Sequence, residues 1–134
     1  MKQVIVGTYE IGYDQVEIVL REDLGGEFYL IPEKGSIPRI KIGADHKDWR
    51  DVVAVFLHEA YEFVLEKLRC RYEKTDIVVG DHNGYLFILD HLTFSEACQR
   101  VAELATSALP NLKKEWEKWN QPQDDKDAVL ELTD

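Results

Sequence analysis

The first 45 residues alternate between apolar and polar side chains in four short runs, with turn residues between them. Alternation with a period of two is typical of β-strands that bury one face. Gly12, Tyr13 and Asp14 mark the first turn, the Gly25-Gly26 pair marks the second, and the segment EKGSIP marks the third. The pattern therefore predicts four strands, which are the runs KQVIVGTY, QVEIVLRE, GEFYLIPE and PRIKIGAD. The regular alternation of RIKIG in the fourth run is typical of an edge or outer strand.

The hydrophobic period changes after this β-rich part. Asp48 is a good helix N-cap, and apolar residues then recur every three or four positions as far as Leu68. This spacing predicts a helix of about 25 residues, from Asp48 to near Tyr72.

The remainder of the chain predicts a hairpin and further helices. Two β-rich runs flank Asn83-Gly84, a dipeptide that favours a tight turn because both central residues need positive φ. Thr93 and Glu96 have capping-box spacing and open a second helix. Pro110 begins a third helix, because proline is tolerated in a first turn.

Together these elements predict an α+β fold. We expect an N-terminal, mostly antiparallel sheet packed on one long central helix, followed by a β-hairpin and C-terminal helices. The length of 134 residues suits one domain, which we place at residues 1–120. Residues 121–134 carry five acids against one lysine and are expected to form an acidic, flexible tail.

The composition excludes some classes of partner. With 16 Lys and Arg against 26 Asp and Glu, the net charge is −10, and no basic run could bind phosphates, so we expect no direct nucleic-acid ligand. No apolar run has the length of a membrane span, and the N-terminus does not have the pattern of a signal peptide. We therefore expect no membrane contact and a cytoplasmic location. Cys70 and Cys98 have no CxxC neighbour and are predicted to be buried free thiols.

The predicted long helix carries polar residues within an otherwise apolar run, FLHEAYEFVL. His58 and Glu62 are four positions apart and project from one face of a helix, as do the two histidines of an HExxH zinc site. Glutamate is also an acceptable zinc ligand, and Glu59 would point beside the metal as a general base. The same residues equally suit the solvated stripe of an amphipathic helix, which Glu66 and Arg69 would continue.

A zinc site needs a third protein ligand, and the chain has four histidines. His91 is the best candidate, because it lies just before a predicted helix and follows an apolar strand that would anchor it. His82 lies at the predicted hairpin tip, where a solvated turn residue is more typical, and His46 lies in the loop before the long helix.

The order of a hairpin, the strand RIKIG and a helix with LHEAYEF resembles the minimal core of the zincin-like metallopeptidases. More narrowly, it resembles small phage and prophage proteins in which a histidine downstream of the HExxE helix precedes a second helix, here in ILDHLTFSEACQRVAELATSALPNL. The resemblance covers about residues 26–112. It implies a zincin-like, metal-dependent hydrolase-related protein whose strand binds an extended substrate, although the site departs from HExxH. It also implies that His58, Glu62 and His91 ligate zinc and that Glu59 is the catalytic base.

A second class of function needs no metal. A small acidic protein can act as a non-enzymatic inhibitor or accessory factor by binding a basic surface of another protein. Trp116 and Trp119 are three residues apart and could anchor a protein or peptide partner or a homodimer. The other interpretation is that they pack the last helix onto the domain. Sequence alone keeps both classes of function open.

Overall fold

The computed structural model describes residues 2–30, 36–73 and 84–122. Six strands and two helices lie in these ranges. They are β1 (Gln3–Ile11), β2 (Asp14–Arg21), β3 (Gly26–Tyr29), β4 (Arg39–Gly43), α1 (Trp49–Lys67), β5 (Arg71–Glu73), β6 (Tyr85–Phe87) and α2 (His91–Trp119).

Four of the strands form one sheet in the order β1-β2-β4-β3. β1 is antiparallel to β2, and β3 is antiparallel to β4, whereas β2 and β4 are parallel. This arrangement confirms the predicted α+β class with a mostly antiparallel N-terminal sheet.

The predicted edge position of the RIKIG strand is wrong, because β4 lies between β2 and β3, and the edge strands are β1 and β3. The alternation in β4 has another cause. Ile40 and Ile42 are buried, whereas Lys41 extends from the opposite face, where its Nζ lies 5.6 Å from the ring centre of Tyr29. Alternation therefore shows that one face of the sheet is open to solvent, and it does not show which strands are neighbours.

Both helices pack on the apolar face of the sheet. α1 contacts β3 and β4, and α2 contacts β1 and β2. The two helices are antiparallel, because Trp49 at the start of α1 lies 5.5 Å from Trp116 near the end of α2, measured between ring centres. Side chains from both layers form the core, and they include Ile18, Leu20, Ile40, Phe56, Phe63, Leu104 and Leu112.

The start of α1 is confirmed, and its predicted end is wrong. The Asp48 carboxylate accepts a hydrogen bond of 2.9 Å from the backbone N–H of Arg50 and caps the helix. α1 ends at Lys67, close before Arg69, which has a φ of 60°. A residue in the left-handed region cannot continue a right-handed helix, so the chain turns there into β5.

The two predicted C-terminal helices are one helix. α2 begins at His91, where Asp90 is the N-cap and accepts a hydrogen bond of 2.8 Å from the backbone N–H of Thr93. It then continues for 29 residues through Pro110. An internal proline removes one helical hydrogen bond and costs about 3 kcal/mol or more. Ala108 and Leu112, which flank it, are both buried in the core, so packing outweighs the local cost of the proline.

The tryptophans near the end of α2 pack that helix onto the domain. Trp116 Nε1 donates to the carbonyl oxygen of His46 at 2.9 Å, and Trp119 Nε1 donates to Asp45 Oδ1 at 3.0 Å. Asn120 adds a hydrogen bond of 3.0 Å to the Ala44 carbonyl. Of the two interpretations of this pair, the structure supports packing within the chain.

β5 and β6 form a two-stranded antiparallel ribbon in which Glu73 pairs with Tyr85. The strand that pairs with YLF is therefore RYE, which was predicted as the end of the long helix, and the predicted first strand TDIVV lies outside the described residues. The predicted hairpin tip, with His82 and Asn83, also lies outside the described residues, as does the predicted acidic tail after residue 122. No described helix contains an apolar stretch of membrane-spanning length.

Candidate metal centre

One turn of α1 brings three potential metal ligands together. His58, Glu59 and Glu62 each offer one ligand atom, and these atoms lie within 4.8 Å of one another. His58 Nε2 is 3.6 Å from Glu62 Oε2 and 3.9 Å from Glu59 Oε1. The helix accounts for this arrangement. His58 and Glu62 are four residues apart and differ by only about 40° around the helix axis, whereas Glu59 is adjacent to His58 and projects about 100° further around, toward the sheet.

The three side chains lie at different depths. The side chain of His58 is 64% exposed, that of Glu62 is 22% exposed and that of Glu59 is 8% exposed. His58 therefore lies at the rim of the group, and Glu59 lies at its base, against the sheet.

Glu59 is unusual for its burial. Of the polar and charged side chains in the described part of the chain, Glu59 alone is buried. Burial raises the pKa of Glu59 above its ordinary value of 4.5; nearby His58 opposes this shift, and Glu62 adds to it. A buried carboxylate without a strong partner costs folding free energy, and such groups are concentrated at functional sites.

Two neighbouring carboxylates, Glu27 and Glu66, each form an ion pair with an arginine. Glu59 and Glu62 differ from them: in the described ranges, their ion-pair partner is His58. Along this face of α1, the carboxylates of Glu59 and Glu62 are therefore the ones without an arginine or lysine partner in the described ranges.

The group lies beside a groove between α1 and the edge strand β3. The groove has a volume of about 470 Å³. β3 and Leu30 form one wall, Glu59, Glu62 and Glu66 form the other, and Arg71 at the start of β5 also lines it. A side chain or a short extended segment could occupy this space.

The outer edge of β3 faces away from β4. The Gly25 carbonyl accepts a hydrogen bond of 2.7 Å from the backbone N–H of Gly43. Antiparallel pairs alternate between bonded and non-bonded positions, so Gly26 and Phe28 direct their backbone groups to the open side. Backbone groups on an open edge can pair with an added extended segment.

The structure does not bring His91 to the other three predicted site residues, and the group of ligand atoms does not include it. His91 is the exposed first residue of α2, and the start of α2 lies beside the end of α1, where Leu68 and Leu92 line one surface hollow. Because a helix rises about 1.5 Å per residue, Leu68 is about 15 Å along α1 from His58.

The other candidate residues also lie elsewhere. The Nε2 atom of His46 is 2.8 Å from the carbonyl oxygen of Leu24, in the loops that flank the sheet. Both cysteines are free; Cys70 is buried as predicted, whereas Cys98 is half-buried and lies 3.7 Å from the Tyr61 hydroxyl.

The β3 wall of the site was not predicted. The resemblance assigned the substrate-binding strand to RIKIG, whereas the strand beside the group is GEFY. A glycine in a strand can indicate close approach of another group to the backbone, and the pair Gly25-Gly26 carried that signal. The signal does not identify the side chain that approaches.

No protein-family model matches the chain, and comparisons with curated proteins and with solved structures gave no significant match.

The burial of Glu59 predicts a pH-dependent cost in stability. Its folded-state pKa is raised, so its contribution to stability is fully present below the unfolded pKa and is lost as the pH rises through the folded pKa. At neutral pH in the absence of metal, we expect Glu59→Gln to be more stable than the wild type, by about 1 kcal/mol. Below about pH 4 this advantage should vanish. Urea unfolding of both proteins with a chelator, over a series of pH values, measures the difference, and parallel stability curves would contradict the prediction.

Proposed function

We propose that this protein binds one divalent transition-metal ion at His58 and Glu62 and is a zincin-like, metal-dependent hydrolase-related protein. The observation that carries the proposal is the convergence of His58, Glu59 and Glu62 within 4.8 Å, on a groove beside an open strand edge. Zinc suits this donor set, because it accepts both imidazole nitrogen and carboxylate oxygen.

The spacing of the donor atoms fits a tetrahedral ion. Two ligands that are each about 2.1 Å from such an ion are about 3.4 Å apart. The separation of 3.6 Å between His58 Nε2 and Glu62 Oε2 is close to that value, and the separation of 3.9 Å between His58 and Glu59 is longer. We assign His58 and Glu62 as ligands and Glu59 as the neighbouring base, as the resemblance implies; a third protein ligand would have to come from outside this group, because no other described residue contributes a donor atom to it.

Bound zinc would supply a Lewis acid that activates water for hydrolysis. The role of the chain is to hold the ion at the rim of the groove and to accept a proton at the Glu59 carboxylate. Because its surroundings disfavour the charged form, Glu59 gains more by accepting a proton than a solvated carboxylate does. An extended peptide that paired with the open edge of β3 would lie beside this carboxylate.

The test is metal analysis of protein purified without an affinity tag. We expect about one zinc per wild-type chain and a marked loss of zinc in His58→Ala and in Glu62→Ala. His91→Ala is the matched control, because that histidine stands apart from the group, and it should keep its zinc. Circular dichroism must show that every variant is folded. A folded wild type that binds no zinc, nickel, cobalt or manganese would overturn the proposal.

Exposed apolar side chains favour a second function, binding of another protein without catalysis. In the β5–β6 ribbon, just after it and at the start of α2, the exposed large apolar side chains are Tyr72, Leu86, Ile88, Leu92 and Phe94. Exposed apolar side chains of this size, when close together, often mark interaction sites. Absence of metal from well-folded wild-type protein, together with a concentration-dependent mass that falls in Leu92→Asp, would favour self-association through these side chains over the hydrolase.

A further inference from the structure

Gly26, on the edge strand, leaves the space that the Glu59 side chain occupies. A Cβ atom added at Gly26 would lie 2.8 Å from Glu59 Cγ, 2.8 Å from Val55 Cγ1 and 3.1 Å from Glu59 Oε1. Distances below about 3.0 Å between such atoms require that one of them move. Glu59 therefore lies directly against the backbone of β3.

Two surfaces hold Glu59 in this place. Val55 is one helical turn before Glu59 and lies on the same flank of α1, because residues four apart share a face. The β3 backbone at Gly26 lies against both side chains. The methylenes of Glu59 are thus held between a helix neighbour and a strand, while its carboxylate remains at the groove with Oε1 3.9 Å from His58 Nε2.

We infer that Gly26 is a positioning residue of the metal centre: it keeps the Glu59 carboxylate beside His58 and Glu62 because any side chain at position 26 would displace it. This inference rests on the proposed function, since it assigns a role to Gly26 at the same site. The inference adds to the proposed site a residue of β3, whereas His58, Glu59 and Glu62 belong to α1. The geometry of the site therefore depends on the contact between α1 and β3.

A neighbouring glycine provides a matched control. A Cβ atom at Gly25 would have no neighbour closer than 3.8 Å, so alanine is accommodated there without displacement of any group. Gly25→Ala and Gly26→Ala add the same methyl group to adjacent positions of the chain. Their difference isolates the contact with Glu59 from the general effect of replacing a glycine.

The first measurement is a cobalt(II) titration, followed through the visible absorption bands of the bound ion. We expect Gly26→Ala to bind cobalt about 10-fold more weakly than the wild type, at the lower end of the usual cost of changing the groups around a metal site, because displacement of the Glu59 carboxylate removes a negative charge from beside the ion. Its bands should also change in intensity, because the surroundings of the ion change. Gly25→Ala should retain the wild-type affinity and spectrum. In Gly26→Ala/Val55→Ala, removal of the Val55 methyls frees space for Glu59, and part of the affinity should return.

The second measurement is a thermal-stability cycle on metal-free protein. Glu59→Ala removes Cγ and the carboxylate. In that background, the loss of Tm caused by Gly26→Ala should be about half or less of the loss that it causes in the wild type. Equal Tm losses in both backgrounds would show that the added methyl group does not act through Glu59, and would overturn the inference whether or not metal binds. This cycle also applies if Gly26→Ala is too unstable for metal titration.

The outcomes separate the two proposals. If the wild type binds cobalt and Gly26→Ala binds it with the same affinity and spectrum, the role of Gly26 is overturned and the proposed function is left intact. A folded wild type that binds no cobalt would overturn the metal centre, and the positioning role would fall with it. Weaker binding in Gly26→Ala alone, with a coupled stability cycle, supports both.

Discussion

Replacing Phe56 with alanine is expected to lower the free energy of unfolding by about 3–5 kcal/mol. Phe56 projects from α1 into the core, and none of its surface is exposed. Alanine removes the buried ring and leaves a cavity that helices packed on a sheet can close only in part. Since the whole stability of a domain is about 5–15 kcal/mol, this single change would remove a large fraction of it.

Urea unfolding followed by circular dichroism measures this loss, with Phe94→Ala as the matched control. Phe94 belongs to α2, but 53% of its surface is exposed, so its removal should change stability by less than about 1 kcal/mol. Similar losses for the two phenylalanines would contradict the packing of α1 on the sheet.

Replacing Glu59 with glutamine in the zinc-loaded protein is expected to lower the rate of hydrolysis by about 10²- to 10⁴-fold, which is the usual contribution of a general base. Glutamine has nearly the shape of glutamate and keeps the contact with Gly26, but it cannot accept the proton of water. In zinc-saturated samples the zinc content should remain unchanged, because His58 and Glu62 hold the ion even where loss of the neighbouring charge weakens its binding. Cleavage of a mixture of fluorogenic peptides, with zinc measured in the same samples, tests both statements.

The result distinguishes two roles of Glu59. Loss of zinc together with activity would show that Glu59 is the third ligand and not the base. Unchanged cleavage with unchanged zinc would overturn both roles. Glu117→Gln is the control for the loss of one negative charge, since Glu117 is an exposed residue of α2 away from the groove.

The sequence predicted the helical half of this site because that half is local. The recurrence of apolar residues after Asp48 determines which face of α1 is buried, and residues four apart must then share a side. His58 and Glu62 were therefore placed together before any tertiary contact was known. The depth of Glu59 was not predictable in this way, because it depends on a strand that approaches from outside the helix.

The sheet half of the site depends on pairings between distant parts of the chain. β4 pairs in parallel with β2 and also pairs with β3, so a strand with an edge-like pattern lies inside the sheet. Likewise, the spacing from Glu62 to His91 does not determine on which flank of α1 the second helix begins. Alternation and spacing carry no information about such neighbours, which is why the flanking strand was assigned to RIKIG and why His91 was placed with a group that it does not join.

The two halves of the candidate centre differ in how firmly they are attached to the domain. α1 is anchored by Phe56 and Phe63, whereas β3 has four residues and, among the described strands, pairs with β4 alone. Short edge strands open locally at a free energy well below that of global unfolding. In such a substate Glu59 would become hydrated while the helix stayed folded. A ligand that bridges α1 and β3 would therefore protect the edge strand from amide exchange far more than it protects the core.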